Sequence, residues 1–100
     1  MKEKSFEENV LRLLRVLNDI SQSEMSEKIQ CSKGYISSIE SGRIKISLKI
    51  IEQYSKTFGV KSSELVQLSE DSLKIREKER NEFIRKSLIK KLYEKTSNVK

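Results

Sequence analysis

A chain of 100 residues, of which 35% are hydrophobic, suits one small helical domain with a short appendage. One cysteine and no histidine exclude an internal disulfide and make a zinc site or a catalytic nucleophile–base set implausible, so we expect neither an enzyme nor a metal or other cofactor. No apolar run approaches about 18 residues, and the N-terminus lacks the apolar stretch of a signal peptide, so we expect a cytoplasmic protein outside the membrane.

The net charge of +6 is concentrated in the last third of the chain. Residues 1–70 hold 11 Lys or Arg against 10 Asp or Glu, whereas residues 71–100 hold 10 against 5. Any affinity of the first part for nucleic acid must therefore come from the placement of a few cations. The basic tail can add nonspecific attraction.

The first predicted helix begins at Ser5, whose side chain can form a capping box with Glu8, and runs to about Asn18. Its apolar residues recur at helical spacing and predict one buried face: Phe6, Val10, Leu13, Leu14 and Leu17. This helix would support the two that follow.

The segment from Ile20 to Gly42 predicts two short capped helices joined by a three-residue turn. Ser21 and Glu24 make a capping box for the first helix, and Ser32 is a good N-cap for the second. Apolar residues at helical spacing face inward from both helices: Met25, Ile29, Ile36 and Ile39. Such a pair is a helix-turn-helix, whose second helix exposes its first turn.

Two further helices are predicted before the composition changes. Gly42 is expected to be left-handed in the loop of residues 41–46, Ser47 caps a fourth helix and Gly59 ends it. A short fifth helix lies within residues 60–68, with Ser62 as its cap. The fourth helix carries Leu48, Ile51, Tyr54 and Phe58, and the fifth presents Leu65, Val66 and Leu68.

The segment from about Phe6 to Leu68 resembles the Cro/lambda-repressor family of helix-turn-helix proteins, also called the xenobiotic-response-element type. The residues that carry the resemblance are Ile20-Ser21-Gln22 at the start of the motif, small Ser26, the Ser32 cap, and Ile36-Ser37-Ser38-Ile39-Glu40-Ser41-Gly42. The resemblance implies an all-α fold, with a five-helix DNA-binding domain in residues 1–68. Asp19 and Gln30 replace the family's usual glycines, so we expect a non-glycine residue with positive φ, or another geometry, at both helix ends.

The resemblance also implies a DNA-contacting surface. It assigns base contacts to positions 33, 34 and 38 and a phosphate contact to Gln22. The first turn of the second motif helix can enter the major groove, where Lys33 could donate to guanine and Gly34 would allow close approach. The full candidate set is Gln22, Ser32, Lys33, Gly34, Tyr35, Ser37, Ser38, Arg43 and Lys45.

Four of these candidates have a plainer alternative. Lys33 can be an ordinary solvated lysine, Tyr35 can cover a neighbouring helix, and Arg43 and Lys45 can be solvated loop residues.

Glu40 opposes the dipole at its helix C-terminus and needs a cationic partner. The resemblance pairs it with Arg15 beneath the motif as a structural ion pair.

Residues 69–100 are predicted to form one long basic helix, because no helix-breaking residue lies between residues 70 and 95. It carries a broad apolar stripe that folds back on the domain, pairs with a second subunit, or binds another protein or an anionic membrane surface. We favour the second subunit, with dimerisation through Phe83, Ile84, Leu88, Ile89 and Leu92, beside Tyr93.

Two functions compete at this point. The first is a sequence-specific DNA-binding transcriptional regulator, a repressor acting as a homodimer on double-stranded DNA with an inverted-repeat operator. The alternative is a protein-interaction module, such as an antitoxin or adaptor, that holds a protein partner through its C-terminal helix, with DNA binding secondary. The near-neutral charge of residues 1–70 favours the alternative, whereas Lys33, Arg43 and the intact motif favour the regulator.

Overall fold

The computed structural model describes the backbone of residues 6–97 and the side chains of residues 10–94. Within this part of the chain the fold is all-helical: α1 Phe6–Leu17, α2 Gln22–Lys28, α3 Lys33–Glu40, α4 Leu48–Phe58, α5 Ser62–Ser72 and α6 Glu77–Ser97. The predicted fold class, an all-α domain with an additional C-terminal helix, is confirmed. The proposed Ser5–Glu8 capping box and the inward face of Phe6 lie outside the described side chains.

Local hydrogen bonds explain where three of these helices begin. Ser21 Oγ accepts from the Glu24 backbone N–H at 3.0 Å, and Glu24 Oε1 accepts from the Ser21 N–H at 2.8 Å, so the predicted capping box is confirmed. The Ser32 and Ser47 side chains cap α3 and α4 in the same way. Ser62 is not a cap: it is the first residue of α5, preceded by Lys61, which makes no side-chain capping bond.

Four residues that end helices or lie in turns have positive φ. Gly42 and Gly59 adopt φ of 84° and 73°, as predicted, and cost no steric strain because glycine lacks a Cβ. Asp19 and Gln30 adopt φ of 60° and 58°, so the prediction of non-glycine residues in the left-handed region is confirmed. Gln30 tolerates this conformation less well than Asp19, whose short side chain can hydrogen-bond locally.

One hydrophobic core joins all six helices. Helix α1 lies at its centre and packs against α3, α4, α5 and α6. The most deeply buried hydrophobic side chains, each no more than 2% exposed, come from every helix: Val10, Leu11, Leu14, Met25, Ile36, Ile39, Tyr54, Leu65, Ile84 and Leu88. Among residues 6–97, no helix combines the length and apolar character needed to cross a membrane.

The prediction of one helix from residue 70 to residue 95 is wrong. Helix α5 continues to Ser72, the chain turns, and α6 begins at Glu77. Arg80 stabilises this turn, since its Nε donates to the Ser72 carbonyl at 2.9 Å and its Nη2 to the Ile75 carbonyl at 3.0 Å. The Ser72 carbonyl also accepts from the Ile75 N–H at 3.2 Å, so the guanidinium adds a second donor at the end of α5.

Because of this turn, the apolar stripe of α6 folds back on its own domain. Ile84 and Leu88 are 0% exposed, and Phe83 and Leu92 pack against the same core. Ile84 and Leu88 are therefore not available to a second subunit, whereas Phe83 and Leu92 are half-buried, and dimerisation through α6 stays a prediction. Of the predicted dimerisation residues, Ile89 alone is exposed.

Candidate nucleic-acid interface

The turn between α2 and α3 fixes α3 by one face. The Cys31 N–H donates to the Ser26 carbonyl at 2.9 Å, which closes the turn behind the left-handed Gln30. Ile36 and Ile39 are 0% exposed and hold the inner face of α3 in the core. Ser26 is 8% exposed, as expected of a small residue where α2 and α3 pack together. The opposite face of α3 remains at the surface.

The N-terminal turn of α3 is open to solvent. Ser32 accepts from the Tyr35 backbone N–H at 3.0 Å, so its side chain is occupied in capping. Lys33 and Gly34 are exposed, whereas Tyr35 is half-buried and packs against the core. Tyr35 therefore agrees in part with the alternative that it covers a neighbouring helix, because part of its side chain is buried against the core. Ser37 and Ser38 are also half-buried.

Packing inside the protein does not explain the glycine at position 34. A Cβ added there would meet only the Ser32 Oγ, at 4.0 Å, which leaves open space around it. A glycine within a helix is less stable than alanine by up to about 1 kcal/mol. A binding partner whose surface approaches this turn closely would explain why position 34 is a glycine.

The loop after α3 carries two of the candidate cations. The Arg43 and Ile44 backbone N–H groups both donate to the Ser38 carbonyl, at 2.9 and 3.2 Å, and the left-handed Gly42 makes this return possible. Arg43 and Lys45 are exposed. The loop is therefore tied to the end of α3, with its cationic side chains in solvent.

The sequence on either side of α3 is rich in exposed cations. Residues 28–51 contain five cations, Lys28, Lys33, Arg43, Lys45 and Lys49, and one acidic residue, Glu40. Among the described side chains, none of these five cations forms an ion pair. Glu40 is 2% exposed and is paired with Arg15 inside the protein. Residues 28–51 are thus locally cationic within a domain of nearly neutral charge, with exposed Glu27 and Glu52 flanking the segment.

Arg15 and Glu40, which the sequence pairs, lie in direct contact. Arg15 Nη2 donates to Glu40 Oε1 at 2.8 Å, and Nε donates to Oε2 at 2.9 Å. Nη1 donates to the Ile20 carbonyl at 2.7 Å, so the guanidinium also joins the end of α1 to the start of α2. The hydrogen bond to Glu40 raises the pKa of Arg15 above its usual value. The Arg15 guanidinium therefore keeps its charge inside the core.

The sequence analysis missed Tyr54 as a member of this cluster. Its hydroxyl donates to Glu40 Oε2 at 2.8 Å, and its side chain is 0% exposed. Burial, reinforced by the nearby Glu40 charge, raises the pKa of Tyr54 well above its usual range. A tyrosine on the inward face of a helix needs a hydrogen-bond partner, and that requirement is the sequence signal that could have identified it.

Gln22 joins the same cluster from the first turn of α2. Its Nε2 donates to Glu40 Oε1 at 3.3 Å, and the side chain is half-buried. The candidate phosphate-contacting residue is therefore linked to the buried end of α3. The structure brings together Arg15, Gln22, Glu40 and Tyr54, while Lys33, Gly34, Arg43 and Lys45 lie apart from this cluster at the surface.

Comparison with known proteins agrees with this geometry. A family model described as helix-turn-helix matches residues 11–65, from α1 into α5. The chain is 32% identical over 63 residues to an uncharacterized HTH-type transcriptional regulator of Methanocaldococcus jannaschii, and the aligned region covers 63% of this chain and 96% of that protein. No solved structure matches this chain. Helix α6 lies outside the matched family segment.

Proposed function

This chain belongs to the Cro/lambda-repressor type of helix-turn-helix protein, and we propose that it regulates transcription by binding a specific DNA sequence as a repressor. The observation that carries the proposal is the outer side of α3, where exposed Lys33 and Gly34 begin the helix and exposed cations follow it. A helix held by its inner face with its first turn free is the element that enters the major groove in this class of motif.

The proposed contacts divide into two kinds. Lys33 donates to guanine O6 or N7, and Ser37 and Ser38 supply weaker contacts to base edges. Gln22, Arg43 and Lys45 contact phosphates, which orients the domain on the duplex without reading sequence. Tyr35 lies at the margin of this surface. With one long side chain to read bases, a single domain would discriminate weakly between sequences.

Weak discrimination by one domain supports a homodimer on an inverted repeat, because two half-sites multiply the specificity of one. Ile84 and Leu88 of the α6 stripe lie in the core and do not supply the dimer surface. The exposed apolar residues include Ile44 in the loop after α3, Leu48 at the start of α4, and Ile89 and Tyr93 on α6. Light scattering on Leu48→Lys and Ile89→Lys variants measures which pair a dimer uses: the disruptive substitution converts the dimer to a monomer.

A second candidate function rests on the outer face of α6. Ile89 is 49% and Tyr93 71% exposed, beside the exposed cations Lys86 and Lys90. This face suits an acidic protein partner, as an antitoxin or adaptor would require. Co-purification from the native source with wild type and with Tyr93→Glu tests it: a partner lost from the variant supports the adaptor, and the same set of proteins from both removes it.

Selection of binding sites from random duplex DNA tests the main proposal. We expect the selected duplex to bind at least about a thousandfold more tightly than its scrambled version at about 200 mM salt. Equal affinity for both duplexes would remove the claim of sequence specificity.

A lysine comparison then tests the assignment of α3. Lys33→Ala should weaken binding to the selected duplex more than to the scrambled one, because a base contact is lost. The matched control is Lys56→Ala, an exposed lysine in the last turn of α4. Its substitution should leave the preference between the two duplexes unchanged.

A further inference from the structure

The contact with Glu40 fixes which end of the Gln22 side-chain amide faces the cluster. The Glu40 carboxylate, paired with Arg15, accepts hydrogen bonds and donates none, so Gln22 must turn its NH₂ group toward it, and not its oxygen. One N–H of Nε2 is used in this contact at 3.3 Å. The other N–H remains available as a donor.

Glu40 is itself fixed from two sides. Arg15 reaches both carboxylate oxygens, with Nε at 3.2 Å from Oε1 and 2.9 Å from Oε2. The hydroxyl of Tyr54, which lies on α4, donates to Oε2 at 2.8 Å. The Tyr54 ring is in turn held against Phe58, with ring centroids 6.2 Å apart. Removing the Tyr54 hydroxyl would leave Oε2 with Arg15 alone and allow the carboxylate to rotate.

We propose that Tyr54 acts through Glu40 as a positioning residue for DNA binding, by holding the Gln22 amide with its second N–H directed to a backbone phosphate. This inference rests on the proposed function and names a residue that the sequence motif does not include. The chain of contacts runs from α4, through the C-terminal end of α3, to the first turn of α2. A side chain that is ordered before binding loses less conformational entropy when DNA arrives.

The arrangement also restricts which residue can stand at position 22. A glutamate there would face the Glu40 carboxylate with no proton to share. Methionine has a similar length and no amide, so Gln22→Met removes both the contact to Glu40 and the free N–H with little change of shape. Gln22→Met is therefore the variant that isolates the amide.

Because a phosphate contact carries no sequence information, a fluorescently labelled duplex of random sequence is a sufficient probe. Anisotropy titrations would compare wild type, Tyr54→Phe, Gln22→Met and the double variant at low salt. We expect Tyr54→Phe to weaken binding about three- to tenfold in wild type and to have no further effect in Gln22→Met. Neither substitution should change the salt dependence, since neither removes a charge.

Thr57→Val is the matched control. It removes a hydroxyl from the same helix, α4, where the Thr57 Oγ1 donates to the Gln53 carbonyl at 2.8 Å, and it should leave affinity unchanged. In the absence of DNA, the side-chain NH₂ resonances of Gln22 in a ¹H–¹⁵N spectrum should shift in Tyr54→Phe and not in Thr57→Val. A substitution that merely destabilised the fold would not single out these resonances.

Three outcomes decide the matter. An equal loss of affinity from Tyr54→Phe in both backgrounds shows that the hydroxyl acts on the domain as a whole, and it overturns the inference while leaving the proposed function intact. Unchanged Gln22 resonances in Tyr54→Phe overturn it independently of DNA. Failure of wild type to bind the duplex at low salt removes the proposed function, and the inferred role in DNA binding falls with it.

Discussion

The two ends of α3 follow opposite physical rules. At the N-terminal end, Lys33 and Gly34 lie in solvent, and the surrounding cations form no ion pair among the described side chains. At the C-terminal end, Glu40 is 2% exposed and receives hydrogen bonds from Arg15, Gln22 and Tyr54. A short helix can present a free end to a partner because its other end is fixed in the core.

The fixed end of α3 carries a buried carboxylate, that of Glu40. A carboxylate at a helix C-terminus opposes the helix dipole, and burying it removes the stabilisation that water would provide. Donors from α1, α2 and α4 replace the lost water, so the carboxylate joins four helices at one point. The free end has no comparable internal partners, and its residues are available for an external one.

The largest effect is expected at the fixed end. Glu40→Ala leaves Arg15 buried without its counter-charge and should lower the free energy of unfolding by about 3–5 kcal/mol, measured by urea denaturation. A loss below about half a kcal/mol would contradict the buried pair. The control is Glu82→Ala on α6, whose exposed carboxylate contacts Arg85 and Lys86. It should cost less than about 1 kcal/mol.

The pH dependence of stability tests Tyr54 at the same end. The folded state raises the pKa of Tyr54 above its usual value near 10, so above that pH the unfolded chain binds fewer protons than the folded one. Stability is therefore present below about pH 10 and lost above it, by up to about 1.4 kcal/mol per pH unit from this group. In Tyr54→Phe this contribution disappears. If the free energy of unfolding fell equally steeply with pH in both proteins above pH 10, the assignment to Tyr54 would be contradicted.

At the free end, we expect stability and binding to change in opposite directions. Gly34→Ala should raise the free energy of unfolding by up to about 1 kcal/mol, because a helical glycine is replaced and the added Cβ has open space. The same Cβ should weaken binding to the selected duplex several-fold. Ser63→Ala at the matching second position of α5, which is also exposed, should not affect DNA binding.

The smallest effect is expected in the turn that leads to the free end. Gln30→Gly relieves about 1–2 kcal/mol of left-handed strain and loses part of it to the greater freedom of glycine in the unfolded chain. A net gain of about half a kcal/mol is expected by thermal or urea unfolding. Asp19→Gly should gain less, since aspartate tolerates positive φ better. The reverse order would show that another interaction of the Gln30 side chain stabilises this turn.

Much of the motif was predictable because its signals are local. The Ser21, Ser32 and Ser47 caps each bond to an N–H three residues ahead, and the sequence shows that spacing directly. Gly42 and Gly59 mark left-handed positions for an equally local reason. The Arg15–Glu40 contact spans 25 residues, and it was predictable only through the family resemblance.

The errors concern contacts between distant parts of the chain. Arg80 closes the turn after α5 by reaching back eight residues to the Ser72 carbonyl, and no proline or glycine marks that turn. Tyr54 has a helical spacing that predicts an inward side chain, but its hydroxyl partner lies on another helix. Neither contact can be predicted from helical periodicity or from a capping motif in the sequence.

The sequence by itself determined which segments of the motif are helical and which faces of those helices are apolar, because caps and periodicity act over a few residues. Only the tertiary structure decided that α6 covers its own domain and that Glu40 joins Arg15, Gln22 and Tyr54. The physical reason is that an apolar stripe requires burial without specifying its partner, and a buried charge requires donors without specifying their position in the chain.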